Sequence, residues 1–158
     1  MNIPRSLWKG PARDLSVAAM SVSGLDHAAM PVQKMDDVID FYKRLGFAIV
    51  GEEEWRAGKR PHVAVQFGQN KINLHPPSLW SRPEATLRGP AARPGCGDFC
   101  FVWDGGLPAL QTMLADAGAP IEAGPVPREG GRGGGRALGT SIYTRDPDGN
   151  LLEFIVYS

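Results

Sequence analysis

The sequence predicts an α+β fold built from tandem βαβββ modules that form a cup-shaped sheet. Three observations lead there. The order strand, helix, three strands occurs twice along the chain. Each helix is followed by a glycine, Gly46 and then Gly118, a residue type suited to end a helix. A Pro- and Arg-rich stretch without helical or strand period, Pro76 to Gly95, separates the two copies. Internal duplication accounts for all three, and two such modules would set two four-stranded, curved sheets around a shared cleft.

The first module opens with a strand over Leu25 to Val32, with Pro31 marking a sheet edge or a strand end. A helix follows. Asp36 and Asp37 favour its first turn, and Met35, Val38, Ile39 and Tyr42 follow the i, i+3, i+4, i+7 spacing of an amphipathic face. Phe47 to Val50 reads as the next strand and His62 to Phe67 as another. Gly68-Gln69-Asn70 makes a turn, and Lys71 to His75 runs back as the fourth strand.

The second module repeats the order. Asp98 to Trp103 is a strand, and Leu107, Leu110, Met113, Leu114 and Ala117 mark a helix. Ile121 to Ala123 reads as a short strand. A loop from Pro125 to Leu138 carries five glycines with Arg128, Arg132 and Arg136. Ser141 to Thr144 is a strand, Asp146-Pro147-Asp148-Gly149 a turn, and Leu151 to Tyr157 the last strand. The expected organisation is a flexible tail over residues 1–22 and one domain over 23–157. Within it, module one spans 23–76, the linker 77–95 and module two 96–157. The tail weakly resembles a signal or transit peptide, but its apolar stretch is short and broken by serines. It reads as a flexible tail, with Met20 an alternative start.

Composition narrows the functions. The chain has 158 residues, and its 17 Lys and Arg balance 17 Asp and Glu, which argues against an electrostatic nucleic-acid or membrane binder. A chain of this size buries roughly 70% of its unfolded surface, so no disulfide is needed. Cys96 and Cys100 flank a strand-like stretch and stand about 13 Å apart if extended, too far to bridge. Free thiols in a reducing cytoplasm are the expectation. No apolar run approaches the ~18 residues of a membrane span.

Several polar residues interrupt the apolar pattern. Glu153 shares a strand face with Leu151 and Ile155. A carboxylate there is exposed on an edge strand, paired with an arginine, bound to a metal or catalytic. His27 lies mid-strand and His75 ends a strand; each also has a plain structural reading. Asp98 opens module two where His27 opens module one. Each module thus offers one ligand type on its first strand, His27 and Asp98, and one on its last, His75 and Glu153. Two imidazoles and two carboxylates without thiolate suit Mn, Fe, Co, Ni or Zn. His62 is off this pattern and reads as a surface residue. The glycine run lacks a phosphate-loop pattern and leads into a strand, which rejects a nucleotide site. It is a disordered surface loop or a mobile lid whose arginines, Arg128 and Arg136 among them, meet an anionic substrate.

These stretches resemble the vicinal oxygen chelate superfamily, which includes glyoxalase I, bleomycin-resistance proteins, fosfomycin thiol transferases and extradiol dioxygenases. The matching residues are Leu25-Asp26-His27, Asp40-Phe41-Tyr42 with Leu45-Gly46-Phe47, Phe67 to His75, and Asp146 to Glu153. The resemblance covers about Ser23 to Tyr157 and is closest to the glyoxalase domain-containing protein 5 type. It implies paired βαβββ modules forming a cup around a divalent metal, with His27 and Glu153 at the first-strand and last-strand ligand positions. Asp98 falls where glyoxalase I has histidine, and Asn73 where it has glutamate, with His75 two residues on. The set could be rebuilt as His27, His75 and Glu153, with Asp98 as a fourth ligand or a base. Pro31 stands where glyoxalase I has a basic residue for the glutathione carboxylate, and Ala29 where fosfomycin transferases have threonine. Both departures argue against those two activities.

Three functions compete. The first is a metal-dependent lyase or isomerase acting on a small substrate with neighbouring oxygens, with Glu153 or Asp98 moving a proton. The second is a non-haem Fe(II) extradiol-type dioxygenase, which needs an open metal face that four protein ligands would crowd. The third is a metal-free binding or resistance protein, for which Trp55, Trp80, Trp103 and Tyr143 would supply stacking surface. Asn73, Trp103, Tyr143, Arg128 and Arg136 are the candidate substrate-binding residues. A cytoplasmic homodimer is expected, because the resemblance implies that small two-module members complete each cup with a partner chain's strands.

Overall fold

The computed structural model describes residues 22–157, so the expectations for the tail and for Met20 lie outside the described residues. Module one contains β1 (His27–Pro31), α1 (Met35–Arg44), β2 (Ala48–Val50), α2 (Glu52–Arg56), β3 (Val63–Phe67) and β4 (Asn70–His75). A short helix, α3 (Pro77–Trp80), begins the linker. Module two contains β5 (Asp98–Val102), α4 (Leu107–Asp116), β6 (Ala123–Gly130), α5 (Arg132–Gly135), β7 (Ala137–Arg145) and β8 (Leu151–Val156).

The duplication is realised in the sheets. Their strand orders are β1-β4-β3-β2 and β5-β8-β7-β6, the same topology twice. In each, the module's first strand runs parallel to its last while the other pairs are antiparallel. Both helices end as their sequences require. The chain turns through Gly46 at φ 85° and Gly118 at φ 67°, a region that residues with a Cβ rarely enter.

Alternation along the strands decides which side meets the core. Met30, Ile72 and Leu74 point inward from the first sheet, and Phe101, Leu152, Phe154 and Ile142 from the second. Val38, Ile39 and Tyr42 of α1 and Leu110 and Leu114 of α4 join them in one cluster. Phe101 ties the modules together, 4.9 Å from Phe47 and 5.1 Å from Phe67 between ring centroids. The opposite sheet faces, turned away from that core, carry His27, Asn73 and His75 on one sheet and Asp98, Cys100 and Glu153 on the other.

Three expectations need correction. Ile121 and Glu122 are not strand; β6 starts at Ala123 and runs on to Gly130. The expected loop from Pro125 to Leu138 is therefore a β-hairpin, β6 to β7, with only its turn over 131–136 outside the strands. Pro125 and Pro127 fit because β6 is an edge strand, where a missing N–H need not break a ladder. The third correction concerns the linker, which begins with the short helix α3; another short helix, α2, fills the stretch between β2 and β3 that the sequence left unassigned. Arg56 secures α2 through Asp36 at 2.8 Å and Glu52 at 3.0 Å. Trp80 of α3 donates its indole N–H to the Val32 carbonyl at 3.1 Å.

Candidate functional site

The turn ahead of β8 aims Glu153. Asp146 is 5% exposed, and burial pushes its carboxyl above the usual carboxylate range. It accepts the backbone N–H groups of Asp148 at 3.0 Å and Asn150 at 2.9 Å, and the Asn150 amide at 2.7 Å. The side-chain amide oxygen of Asn150 in turn accepts the N–H of Gly97 at 2.7 Å, which seats β8 against β5. A Cβ at residue 97 would stand 2.8 Å from that oxygen, so only glycine lets the strands meet this way. Asp148 fastens the other module: it accepts the N–H of Gln33 at 2.6 Å and of Lys34 at 3.2 Å, just ahead of α1.

On this scaffold Glu153 sits between Cys100 of β5 and Tyr143 of β7. It is half-buried and interior to the sheet rather than on an edge, and it has no ion-pair partner among the described residues. The sequence left an arginine partner open. Arg145 is the cation nearest in register on that face, and it is engaged by Glu122 at 2.5 Å. Instead the buried Ser141 hydroxyl donates to the Glu153 carboxylate. Cys100 is a free thiol facing Glu153; desolvation of the thiol first, and the Glu153 charge second, push it up to about 12. Cys96 is also free. Asp98 is exposed at the start of β5, two residues from Cys100 on the same face. Tyr143 accepts a hydrogen bond from Arg128 at 2.9 Å.

The module-one face is less compact. His27 is exposed, with Nδ1 2.6 Å from the Asp26 carboxylate, whose pKa is held down mainly by that hydrogen bond. The β1–β4 register sets His27 opposite Lys71 and His75 opposite Pro31. The two imidazoles therefore stand four strand positions apart, about 13 Å along the backbone. Asn73 lies between them, 7% exposed, and its side-chain oxygen has no hydrogen-bond partner.

His62 is not the surface residue expected. It is partly buried, with its ring centroid 5.5 Å from that of His75. Burial is the main cause that lowers both imidazoles; the charge of His75 adds to it for His62, and that of His27 for His75. The signal was present but needed the pairing. Ala64 opposite Asn73 implies His62 opposite His75, and only the β3–β4 register reveals that.

The donors suit a divalent metal in kind: imidazole, carboxylate, and an orphaned buried amide oxygen at Asn73. They stand on two sheets, and no group of three or more His, Cys, Asp or Glu able to hold an ion gathers among the described residues. The candidate donors of one chain are thus divided between its two sheets. Two other expected substrate residues lie elsewhere. Trp103 lines an apolar groove of about 690 Å³ at the module junction, with Phe47, Phe67, Phe101 and Phe154. Arg136 is exposed in the hairpin turn. No helix among the described residues is long and apolar enough to cross a membrane.

Known proteins resemble this chain in sequence and fold. The chain is 36% identical over 156 residues to the glyoxalase domain-containing protein RDO1 of Mycosarcoma maydis, covering 98% of this chain and 80% of that protein. It is 34% identical over 139 residues to virulence protein STM3117 of Salmonella typhimurium, covering 87% of each. The crystal structure of STM3117 superposes with a TM-score of 0.73, over 88% of this chain and 100% of that one. The metallothiol transferase FosB of Shouchella clausii is 28% identical over 136 residues, 84% of this chain and 79% of that protein. The model of the Glyoxalase/Bleomycin resistance protein/Dioxygenase superfamily matches residues 24–154, and the chain belongs to that superfamily.

Proposed function

We propose that the protein is a divalent-metal-dependent enzyme of glyoxalase-like type, a lyase or isomerase for a small substrate with two neighbouring oxygens. The observation that carries this reading is Glu153. It is a half-buried carboxylate inside a sheet, held by Ser141 and paired with no cation among the described residues. A carboxylate inside a sheet with no cation beside it is a place that a divalent ion can fill. His27, Glu153 and Asp98 are the residues to hold the ion, Zn, Ni, Mn, Fe or Co. His75, four positions beyond, joins His62 and Asn73 on the wall of the site. A bound divalent ion supplies Lewis-acid polarisation of the substrate's oxygens. The Ser141 hydroxyl occupies one oxygen of the Glu153 carboxylate; the other would hold the ion and could take up and return a substrate proton only when displaced from it.

The half-sites meet between chains. His27 of one copy would face Asp98 and Glu153 of a second, making the working form a cytoplasmic homodimer. The outer edges of β1 and β5 have no strand partner in the described chain, which leaves them available for such an approach. FosB is by its name a metallothiol transferase, which supports metal use on this fold. The test is metal content after loading with each candidate ion. The parent should hold close to one ion per chain, and Glu153→Gln and His27→Ala should each lose most of it. Full metal in both variants would remove the reading.

The 690 Å³ aromatic groove favours one second reading, a metal-free protein that sequesters an aromatic ligand. Ligand binding that ignores metal and is lost in Trp103→Ala would select it.

A further inference from the structure

Arg128 is the best-prepared cation on the Glu153 face. The register sets Arg128 opposite Gly139 on β7, and Gly139, Ser141 and Tyr143 alternate along the face that β8 shares through Glu153. Its guanidinium lies over the Tyr143 ring at 5.6 Å, and its Nε–H donates to the Tyr143 hydroxyl at 2.9 Å. One Nη1–H reaches the Pro127 carbonyl at 3.0 Å. The remaining guanidinium N–H groups have no protein acceptor among the described residues. No carboxylate pairs with Arg128 either, although Arg145 on the same sheet is fully engaged by Glu122. A planar cation stacked and bonded in advance loses little freedom when it meets an anion.

Charge balance points the same way. Asp98 and Glu153 together neutralise a divalent ion, so Arg128 is the positive charge left over on this face. Arg132 stands nearby on the hairpin with its guanidinium 4.6 Å from the Tyr157 ring centre, again without a carboxylate. We propose that Arg128, held on Tyr143, is the seat for an anionic group at the far end of the substrate. The substrate class is then a small monoanion, a carboxylate or an acidic ester, with two neighbouring oxygens at its other end. Tyr143 is the cross-strand neighbour of Glu153, so the anion sits roughly 5–10 Å from the oxygens. This rests on Glu153 marking the metal end of the site.

A matched pair of probes tests it. 3,4-Dihydroxybenzoate carries neighbouring oxygens at one end and a carboxylate at the other, and 3,4-dihydroxybenzamide is its neutral counterpart. Calorimetric titration into zinc-loaded and zinc-free full-length protein should show the benzoate bound about tenfold tighter than the amide in the zinc-loaded parent. Arg128→Gln should erase that preference while leaving zinc content and melting temperature unchanged. Arg128→Lys should restore only part of it, because an ammonium cannot form the same fork or stack. If the preference depends on Arg128 but not on zinc, the anion seat stands and the metal reading falls. If both probes bind in a zinc-dependent way and Arg128→Gln changes neither, the anion seat falls and the metal reading stands. If neither probe binds either form, both fall.

Discussion

Glu153 is defined by what surrounds it. Ser141 donates to its carboxylate, Cys100 faces it as an un-ionised thiol, and Tyr143 flanks it across the ladder. Ser141→Ala removes the donor from a buried position. It should leave metal content near that of the parent while reducing turnover about tenfold, measured once a substrate is in hand. Glu153 was legible in the sequence because a lone acid between Leu151 and Ile155 breaks an apolar strand. What the sequence could not decide was whether an arginine answers it, since Arg145 is claimed by Glu122 only once the start of β6 is laid against β7. Asp148 belongs to the same turn and acts differently. Its bonds to Gln33 and Lys34 hold module two against the start of α1, and Asp148→Ala should cost about 1 kcal/mol in denaturant unfolding. A midpoint unchanged from the parent would show that the link adds nothing.

Strands and helices with clean periodicity were legible: α1 and α4 from their spaced apolar residues, β3 and β4 from a hairpin around Gly68. The β6 strand was not, because prolines and glycines ordinarily mark loops, and only its place at the sheet edge makes them harmless. The β6–β7 hairpin depends on small residues at particular points. A Cβ at Gly139 would stand 2.7 Å from the Ile155 side chain and 2.8 Å from the Val156 carbonyl. Gly139→Val should therefore destabilise the protein by about 1–3 kcal/mol through overpacking. The β3–β4 hairpin carries a pH response. Burial lowers His62 and His75 below the ordinary 6.5 of free histidine. Just below that value the unfolded chain binds protons that the folded one refuses, so stability falls as pH drops from 7 towards 5. Metal-free protein should lose melting temperature over that window, and His62→Gln with His75→Gln should flatten the loss.

At the scale of the molecule, duplication explains both the fold and the division of the candidate donors between two sheets. Each module turns its apolar face to one shared core and its polar face outward, so the ligand candidates of one chain stand on separate sheets. The sequence showed the two modules and paired their ligand positions. It could not show that the pairs face different ways, because that follows from how the two sheets pack. In the proposed enzyme a metal site forms from His27 of one copy with Asp98 and Glu153 of another. Mixing His27→Ala chains with Glu153→Gln chains, after unfolding and refolding together, tests this most directly by zinc stoichiometry. Each variant alone should bind almost none. Random pairing makes about half the dimers mixed, each with one intact site, so the mixture should recover about one zinc per four chains. A mixture that stays as empty as its components would contradict a site shared between chains.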